Sequence, residues 1–321
     1  MMTPSEAVAQ LRENSIDVQS AISEVDPLSL GECALFEGED ELCAVIQSEL
    51  TQAQIHFLLF RRAQLVNDAD AAQEALTACV TSSRERGERD HTLEARARME
   101  WGLLRFALGE SEQAGVDLKW AMERLNALEE GSTSHGLAML NMAAWHESVG
   151  EPIMALAIHS QISRHGPHLV ETIALSRLRA AHLTLDIGDL QSSLRHSWVS
   201  FQGLRDTEMA ELVREAALLW LDVALNEVSD EAPSMQERVE TAKPRNPGDG
   251  DDARSNPADI SQILEWLVAN WDGDASGELR PDIAVMIEAE QAIGQSAFQE
   301  RVSQLEELSA KDVVELLTDR D

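Results

Sequence analysis

The sequence predicts an all-α protein built from consecutive helical hairpins that stack into a solenoid. The composition favours helices, because aromatic residues make up only 4% of the 321 residues and Tyr is absent, while Ala, Leu, Glu and Arg are abundant. A short pattern of small residues and turn residues also recurs along the middle of the chain. Its turn residues, Asn67, Gly109, Gly150 and Gly188, follow one another at intervals of 42, 41 and 38 residues. A repeat of this length is typical of stacked helical hairpins.

The recurring pattern has a small residue in a first helix, a turn residue seven positions later and a second small residue five positions after the turn. We expect the small residues where the two helices approach closely, and a positive φ at Gly109, Gly150 and Gly188. The two clear copies are Gly102, Gly109, Ala114, Leu118 and Ala121, and Ala143, Gly150, Ala155, His159 and Ile162. Two degenerate copies are Ala181, Gly188, Ser193, Ser197 and Ser200, and Phe60, Asn67, Ala72, Leu76 and Cys79.

The repeat domain is assigned to residues 51–228. Apolar residues at helical spacing lie before and after each turn, and a last helix over Glu208–Val228 is expected to cap the stack. Residues 1–50 form an N-terminal segment of short helices. The first of these starts at Thr3-Pro4, and Glu6 completes a capping box with Thr3.

The C-terminal part of the chain is divided into a linker and a module. Residues 229–258 are rich in Pro, Gly and Asp and are predicted to be a flexible linker. Residues 259–321 are predicted to form a small acidic helical module. Its predicted helices are Ile260–Trp271, Ile283–Ile293, Ala297–Leu308 and Asp312–Thr318.

On these spacings, residues 51–204 resemble the tetratricopeptide repeat, in a divergent variant with long helices. The family's first-helix aromatic is replaced by Arg105, His146 and Thr184. The resemblance implies a right-handed solenoid whose first helices line a concave groove that holds a peptide. By register, the groove residues would be Phe57, Arg61, Arg96, Met99, Leu103, Phe106, Leu137, Leu140, Glu147, Leu175, Leu178, His182 and Leu185.

The resemblance also disfavours one kind of ligand. Members that bind chaperone tails hold the terminal carboxylate with Lys and Asn side chains. Apolar residues stand at the corresponding Lys positions of this chain, which are Met99, Leu140 and Leu178. We therefore do not expect this chain to recognise chaperone tails.

The net charge of −33 makes nucleic acid and anionic membranes unfavourable partners. Acidity is concentrated at the ends, since residues 1–50 carry a net charge of −10 and residues 259–321 a net charge of −11. Two explanations of this acidity stay open. The protein has a surface solvated by carboxylates and comes from a salt-rich or GC-rich source, or it recognises a basic partner. Three cysteines without a C-x-x-C pair and no visible signal peptide predict a cytoplasmic protein.

The best metal candidate is the loop that starts at Asp272. It resembles the first half of an EF-hand, with Asp272, Asp274 and Ser276 as oxygen ligands. The closing Glu of such a loop would fall at Ile283, so we expect no metal, and weak calcium binding stays an alternative. The irregularly spaced histidines are expected to be structural, and no cofactor motif or catalytic motif is present in the sequence.

The sequence therefore predicts a non-catalytic scaffold that binds a protein or peptide partner through the groove. Two alternatives stay open: a regulatory protein whose acidic C-terminal module occupies the groove, and the calcium-responsive protein described above. The identity of the partner, the pathway and the oligomeric state do not follow from the sequence.

Overall fold

A computed structural model describes residues 2–87, 89–226, 257–273 and 280–305. These residues form sixteen α-helices and no β-strand, and helices that follow one another in the chain pack as antiparallel pairs. The prediction of an all-α helical-repeat solenoid is confirmed. The chain divides into two compact units, Met1–Ile158 and His159–Asp321, with the boundary inside the tenth helix.

Unit 1 contains four short N-terminal helices followed by long hairpins. A single 3₁₀ turn at Gln47–Glu49 separates the two groups. The helices are α1 (Pro4–Arg12), α2 (Val18–Glu24), α3 (Pro27–Phe36), α4 (Asp40–Ile46), α5 (Gln52–Leu65), α6 (Ala69–Ser82), α7 (His91–Ala107), α8 (Ser111–Glu129), α9 (Thr133–Ser148) and α10 (Pro152–Gln161). The predicted capping box at the start of α1 is present, since Thr3 Oγ1 accepts from the Glu6 N–H and Glu6 accepts from the Thr3 N–H.

Unit 2 continues with six helices. They are α11 (Val170–Asp186), α12 (Leu190–Leu204), α13 (Ala210–Asn226), α14 (Pro257–Ala269), α15 (Arg280–Ala292) and α16 (Ala297–Ser303). The predicted helix Asp312–Thr318 and the end of Ala297–Leu308 lie outside the described residues.

The predicted turn glycines take the predicted conformation. Gly109, Gly150 and Gly188 have φ values of 85°, 79° and 81°, and Asn67 at the equivalent turn has a φ of 55°. In each turn, the N–H of the following residue donates to a carbonyl five positions back, as in Asp68 N–H to Ala63 O at 3.0 Å. These bonds satisfy carbonyls that the end of a helix leaves without intrahelical partners.

The small residues of the pattern lie at close helix–helix contacts. A Cβ atom built on Gly102 of α7 would come within 2.8 Å of Leu118 Cγ on α8, so any larger residue would separate these helices. Ala114, Ala143 and Ala155 are fully buried. The same constraint acts between hairpins, because a Cβ on Gly115 would lie 2.4 Å from the Trp145 ring of α9.

The N-terminal segment contains a further copy of the hairpin that the sequence analysis missed. Gly31, Gly38 and Cys43 have the pattern spacing, and Gly38 has a φ of 75°. The Glu39 N–H donates to Ala34 O at 2.9 Å, which is the turn hydrogen bond found in the longer hairpins. The helices α3 and α4 therefore form a shorter member of the same series.

The last repeat helix differs from a solvated cap. Trp220 and Leu221 of α13 are both fully buried, and α13 packs against α12 on one side and against α14 and α15 on another. The buried Ile260, Ile287 and Val302 of the C-terminal helices belong to the same hydrophobic core as α11–α13. The described part of the predicted 259–321 module therefore shares a core with the repeat helices of unit 2.

Our first prediction concerns the turns. Gly150→Ala should lower the free energy of unfolding by about 1–2 kcal/mol, because a non-Gly residue is strained at positive φ, whereas Gly150→Asn should cost clearly less. The chain itself has Asn67 at the equivalent position. Urea denaturation checks this order, with Asn67→Gly as a control expected to be neutral or stabilising. Equal losses for the Ala and Asn variants would contradict it.

Our second prediction concerns the shared core. A chain that ends at Val228 lacks α14–α16 and should expose the buried face of α13 around Trp220. Each large apolar side chain that becomes exposed costs about 1.5–3 kcal/mol, so the Tm of unit 2 should fall by about 10 °C or more. A chain that ends at Leu305 keeps every described helix and serves as the control. Equal Tm values for the full chain and the Val228 truncation would show that the C-terminal helices do not stabilise α13.

Candidate functional site

The predicted groove residues lie on the first helices of the hairpins, some of them in unit 1 and the others in unit 2. We call the surface formed by α3, α5, α7 and α9 the first-helix face of unit 1, and the surface formed by α11, α13 and α15 the first-helix face of unit 2.

The first-helix face of unit 1 contains an ion-pair network around Phe57. Arg61 Nε and Arg96 Nη2 donate to the two carboxylate oxygens of Glu32 at 3.0 and 2.9 Å. Arg61 Nη2 also donates to Glu100 at 2.9 Å. Both guanidinium groups lie over the Phe57 ring, at 5.1 and 4.8 Å from its centroid. The two arginines are thus neutralised by two glutamates and tie α3, α5 and α7 together.

The other predicted residues of unit 1 have different environments. Phe57 and Met99 are buried in the core, so they cannot contact a partner without a rearrangement, and this part of the prediction is corrected. Phe106 and Leu137 are exposed, while Leu140 and Glu147 are partly buried. Leu103 lines a mostly apolar cavity of about 250 Å³ between the α5–α6 turn and the end of α7.

The first-helix face of unit 2 contains an open groove of about 590 Å³. His182 of α11 lines one side, and Pro281, Asp282 and Val285 of α15 line another. The floor and remaining walls come from one face of α13, at positions three, four, seven, eight and eleven after Glu211. These α13 residues are Glu211, Arg214, Glu215, Leu218, Leu219 and Asp222.

More carboxylate groups than guanidinium groups line this groove. Four carboxylates line it, but Arg214 is its one guanidinium group and donates to Glu211 at 2.6 Å. His182 Nε2 lies 2.7 Å from Glu215 Oε1 and links α11 to α13. Burial raises the pKa of Asp282, and Arg214 acts in the opposite direction. A carboxylate desolvated in this way is stabilised by a nearby cation.

The remaining predicted residues of unit 2 are partly or fully buried. Leu178 is buried in the core, which corrects its assignment to the groove surface. Leu175 and Leu185 are partly buried, and Leu185 packs against the core. Only His182 of the predicted set lines the observed groove.

The acidic groove residues were not predicted, because α13 was expected to cap the stack and α15 was assigned to a separate module. Neither helix was therefore considered as a wall of the binding surface. In unit 1, Glu32 was missed because the Gly31–Gly38 copy of the pattern was missed. Gly31 and Phe60 hold the same position in their copies of the pattern, and Glu32 and Arg61 are the residues that follow them. The repeat register would therefore have placed Glu32 and Arg61 on one face.

Metal candidates fall partly outside the described residues. Asp272 is exposed at the end of the described 257–273 segment, and Asp274 and Ser276 lie outside the described residues. Within the part of the chain that the structure describes, no group of three or more His, Cys, Asp and Glu side chains could hold a metal ion. Among the same residues, no helix is both long and apolar enough to cross a bilayer.

The three cysteines are free thiols, and burial controls their chemistry. Cys33 is partly buried, whereas Cys43 and Cys79 are buried. Burial raises the pKa of Cys79 to about 12. This thiol is therefore protonated and unreactive at neutral pH.

Comparisons with known proteins give little further information. No protein-family model matches the sequence, and no curated protein matches it. Among solved structures, the crystal structure of BtubC (BKLC) from P. vanneervenii is similar with a TM-score of 0.43 and 14% sequence identity. The match covers 72% of this chain and 92% of that chain. A similarity of this size carries no argument about function.

Our third prediction concerns His196 of α12. Burial lowers its pKa from the ordinary value of 6.5 to about 4, and the nearby Arg177 and Arg195 act in the same direction. Because the unfolded chain binds this proton more readily, stability should fall as the pH drops below about 6.5. The loss should stop growing below about pH 4 and reach about 1–2 kcal/mol at pH 5.

Urea denaturation of wild type and His196→Asn at pH 7.5 and pH 5 measures this contribution. The variant should lose less stability than wild type over the same interval. Its remaining loss reports all other groups that titrate over this interval, carboxylates and histidines included, and serves as the internal reference. Identical pH dependence in the two proteins would contradict the assignment to His196.

Proposed function

We propose that this protein is a non-catalytic scaffold, similar to tetratricopeptide-repeat proteins, that binds a basic segment of a partner protein on the first-helix face of unit 2. The observation that carries this proposal is the open groove with an apolar floor and an excess of carboxylates.

The groove favours a segment that combines apolar and cationic side chains. Leu218, which is partly buried, offers apolar surface to the apolar side chains, and Asp222 and Asp282 offer counter-charges to the cationic side chains. Charge complementarity of this kind raises the association rate and disfavours acidic competitors. The chain's net charge of −33 acts in the same sense and also disfavours nucleic acid and anionic membranes. Cytoplasmic location stays part of this proposal.

The C-terminal helix α15 forms one wall of the groove. Asp282 and Val285 of α15 line it, and Ile283 and Ile287 of the same helix are buried in the core of unit 2. Displacing α15 would therefore expose core residues. A groove in which α15 is a fixed wall is favoured over one in which the C-terminal module is a removable occupant.

Our fourth prediction tests the groove with a defined probe. The probe is a fluorescein-labelled twelve-residue peptide of alternating Lys and Leu, measured by fluorescence anisotropy against the full chain. Asp222→Asn/Asp282→Asn should weaken binding by about tenfold, corresponding to about 1.4 kcal/mol. A peptide with Glu in place of Lys should not bind.

The matched control is Asp186→Asn/Glu265→Gln, which removes two carboxylates from exposed positions of unit 2 outside the groove. It should change the Kd by less than twofold at physiological salt, where distant charges are screened. Equal weakening by the two double variants would show that binding depends on net charge alone and would reject the groove.

A further inference from the structure

A row of exposed apolar residues lies at the hairpin turns of unit 1. Val66, Leu108 and Val149 each stand directly before a positive-φ turn residue, and their side chains are 69%, 52% and 38% exposed. Phe106, Ile153 and Met154 flank these turns and are also exposed. We call these six residues the turn edge. Exposure of one such residue is ordinary, but repetition at three successive turns is not.

The three turns lie at the same end of adjacent hairpins. The α5–α6 turn, with Asn67 and Asp68, borders the same cavity as Leu103, Leu104 and Ala107 at the end of α7. Trp145 Nε1, near the end of α9, donates to Ser111 O at the start of α8 at 2.9 Å. The α5–α6 turn therefore lies beside the end of α7, and the start of α8 lies beside the end of α9, so the exposed apolar residues of the three turns follow one another along one end of unit 1.

The row contains a place for an anchoring side chain. The cavity of about 250 Å³ opens between the first two turns, and Phe60, Ala63 and Leu104 contribute to its mostly apolar lining. Val66 directly precedes Asn67 in the chain, and Phe106 directly precedes Ala107. Asn67 and Ala107 both line the cavity. An aliphatic or aromatic side chain of a partner could enter there while neighbouring side chains cover the exposed row.

The charge around the turn edge is strongly acidic. Residues 64–74, 103–113 and 147–154 carry seven acidic residues and one arginine, Arg105, which pairs with Asp117. At the opposite end of the hairpins, residues 82–87 and 89–91 of the α6–α7 connection hold three arginines and two acidic residues, whereas the α8–α9 connection carries Glu129 and Glu130. A partner that covers the turn edge should therefore be cationic. A second copy of this chain, with a net charge of −33, is disfavoured as the occupant.

We propose that the turn edge is a second docking surface, which binds a basic amphipathic helix of a partner protein. The first helices α5, α7 and α9 are neighbours, and packed helices lie about 8–10 Å apart. Residues seven positions apart on a helix are separated by about 10 Å along its axis. Apolar residues at positions i and i+7 of the partner helix match successive turns, and lysines between them face the acidic residues.

The test uses a labelled fifteen-residue helical probe of Ala, Lys and Leu, with leucines at positions 1, 8 and 15. Wild type should bind it, and Val66→Asp/Leu108→Asp should weaken binding at least tenfold in fluorescence anisotropy. Both residues are exposed, so the fold should be kept, and circular dichroism checks this. The control Leu128→Asp/Leu137→Asp changes two exposed leucines toward the opposite end of the hairpins and should alter the Kd by less than twofold.

The same experiment separates this surface from the groove of unit 2. Because the groove also favours segments that carry Lys and Leu, the two surfaces are distinguished by crosslinks at the turn edge itself, whose yield Asp222→Asn/Asp282→Asn should not change. A photo-leucine at position 8 of the probe should crosslink wild type within residues 64–74 or 103–113. Three results would overturn the proposal. They are absence of binding, equal weakening by Val66→Asp/Leu108→Asp and by Leu128→Asp/Leu137→Asp, and crosslinks confined to other segments. Concentration-dependent dimerisation abolished by Val66→Asp/Leu108→Asp would also overturn it, in favour of a second copy.

Discussion

The close approach of two helices across a positive-φ turn is the constraint on which the rest of this structure depends. Where Gly102 of α7 meets Leu118 of α8, there is no room for even a Cβ atom. The turn seven residues after each small position fixes where the second helix starts, and its backbone hydrogen bonds close the end of the first helix. Because this unit repeats, successive first helices lie side by side and present continuous surfaces.

Two of these surfaces have different electrostatic characters. On the first-helix face of unit 1, Arg61 and Arg96 are matched by Glu32 and Glu100, so the charges stabilise the packing of three hairpins and leave little for a partner. In unit 2, Asp222 and Asp282 line a groove in which Arg214 is directed to Glu211. The excess of carboxylates in this lining supports the proposal that the groove binds a cationic segment.

Much of the fold could be predicted from the sequence, because the turn residues and small residues obey local steric rules. A positive φ was predicted at Gly150 and Gly188 from their place in the pattern, and the structure shows it. The burial of Phe57 and Leu178 could not be predicted from helical register, since it depends on the helices that pack above them. The groove was missed because its walls come from α13 and α15, which are separated by residues 227–256 and by α14. Local patterns do not report such long-range packing.

The central claim is that the first-helix face of unit 2 binds a cationic segment. A crystal structure of the full chain with a peptide of alternating Lys and Leu tests it most directly. We expect the leucines of the peptide against Leu218, and its lysine ammonium groups within about 4 Å of the carboxylates of Asp222 and Asp282. A peptide bound elsewhere, with this groove filled only by solvent, would contradict the account.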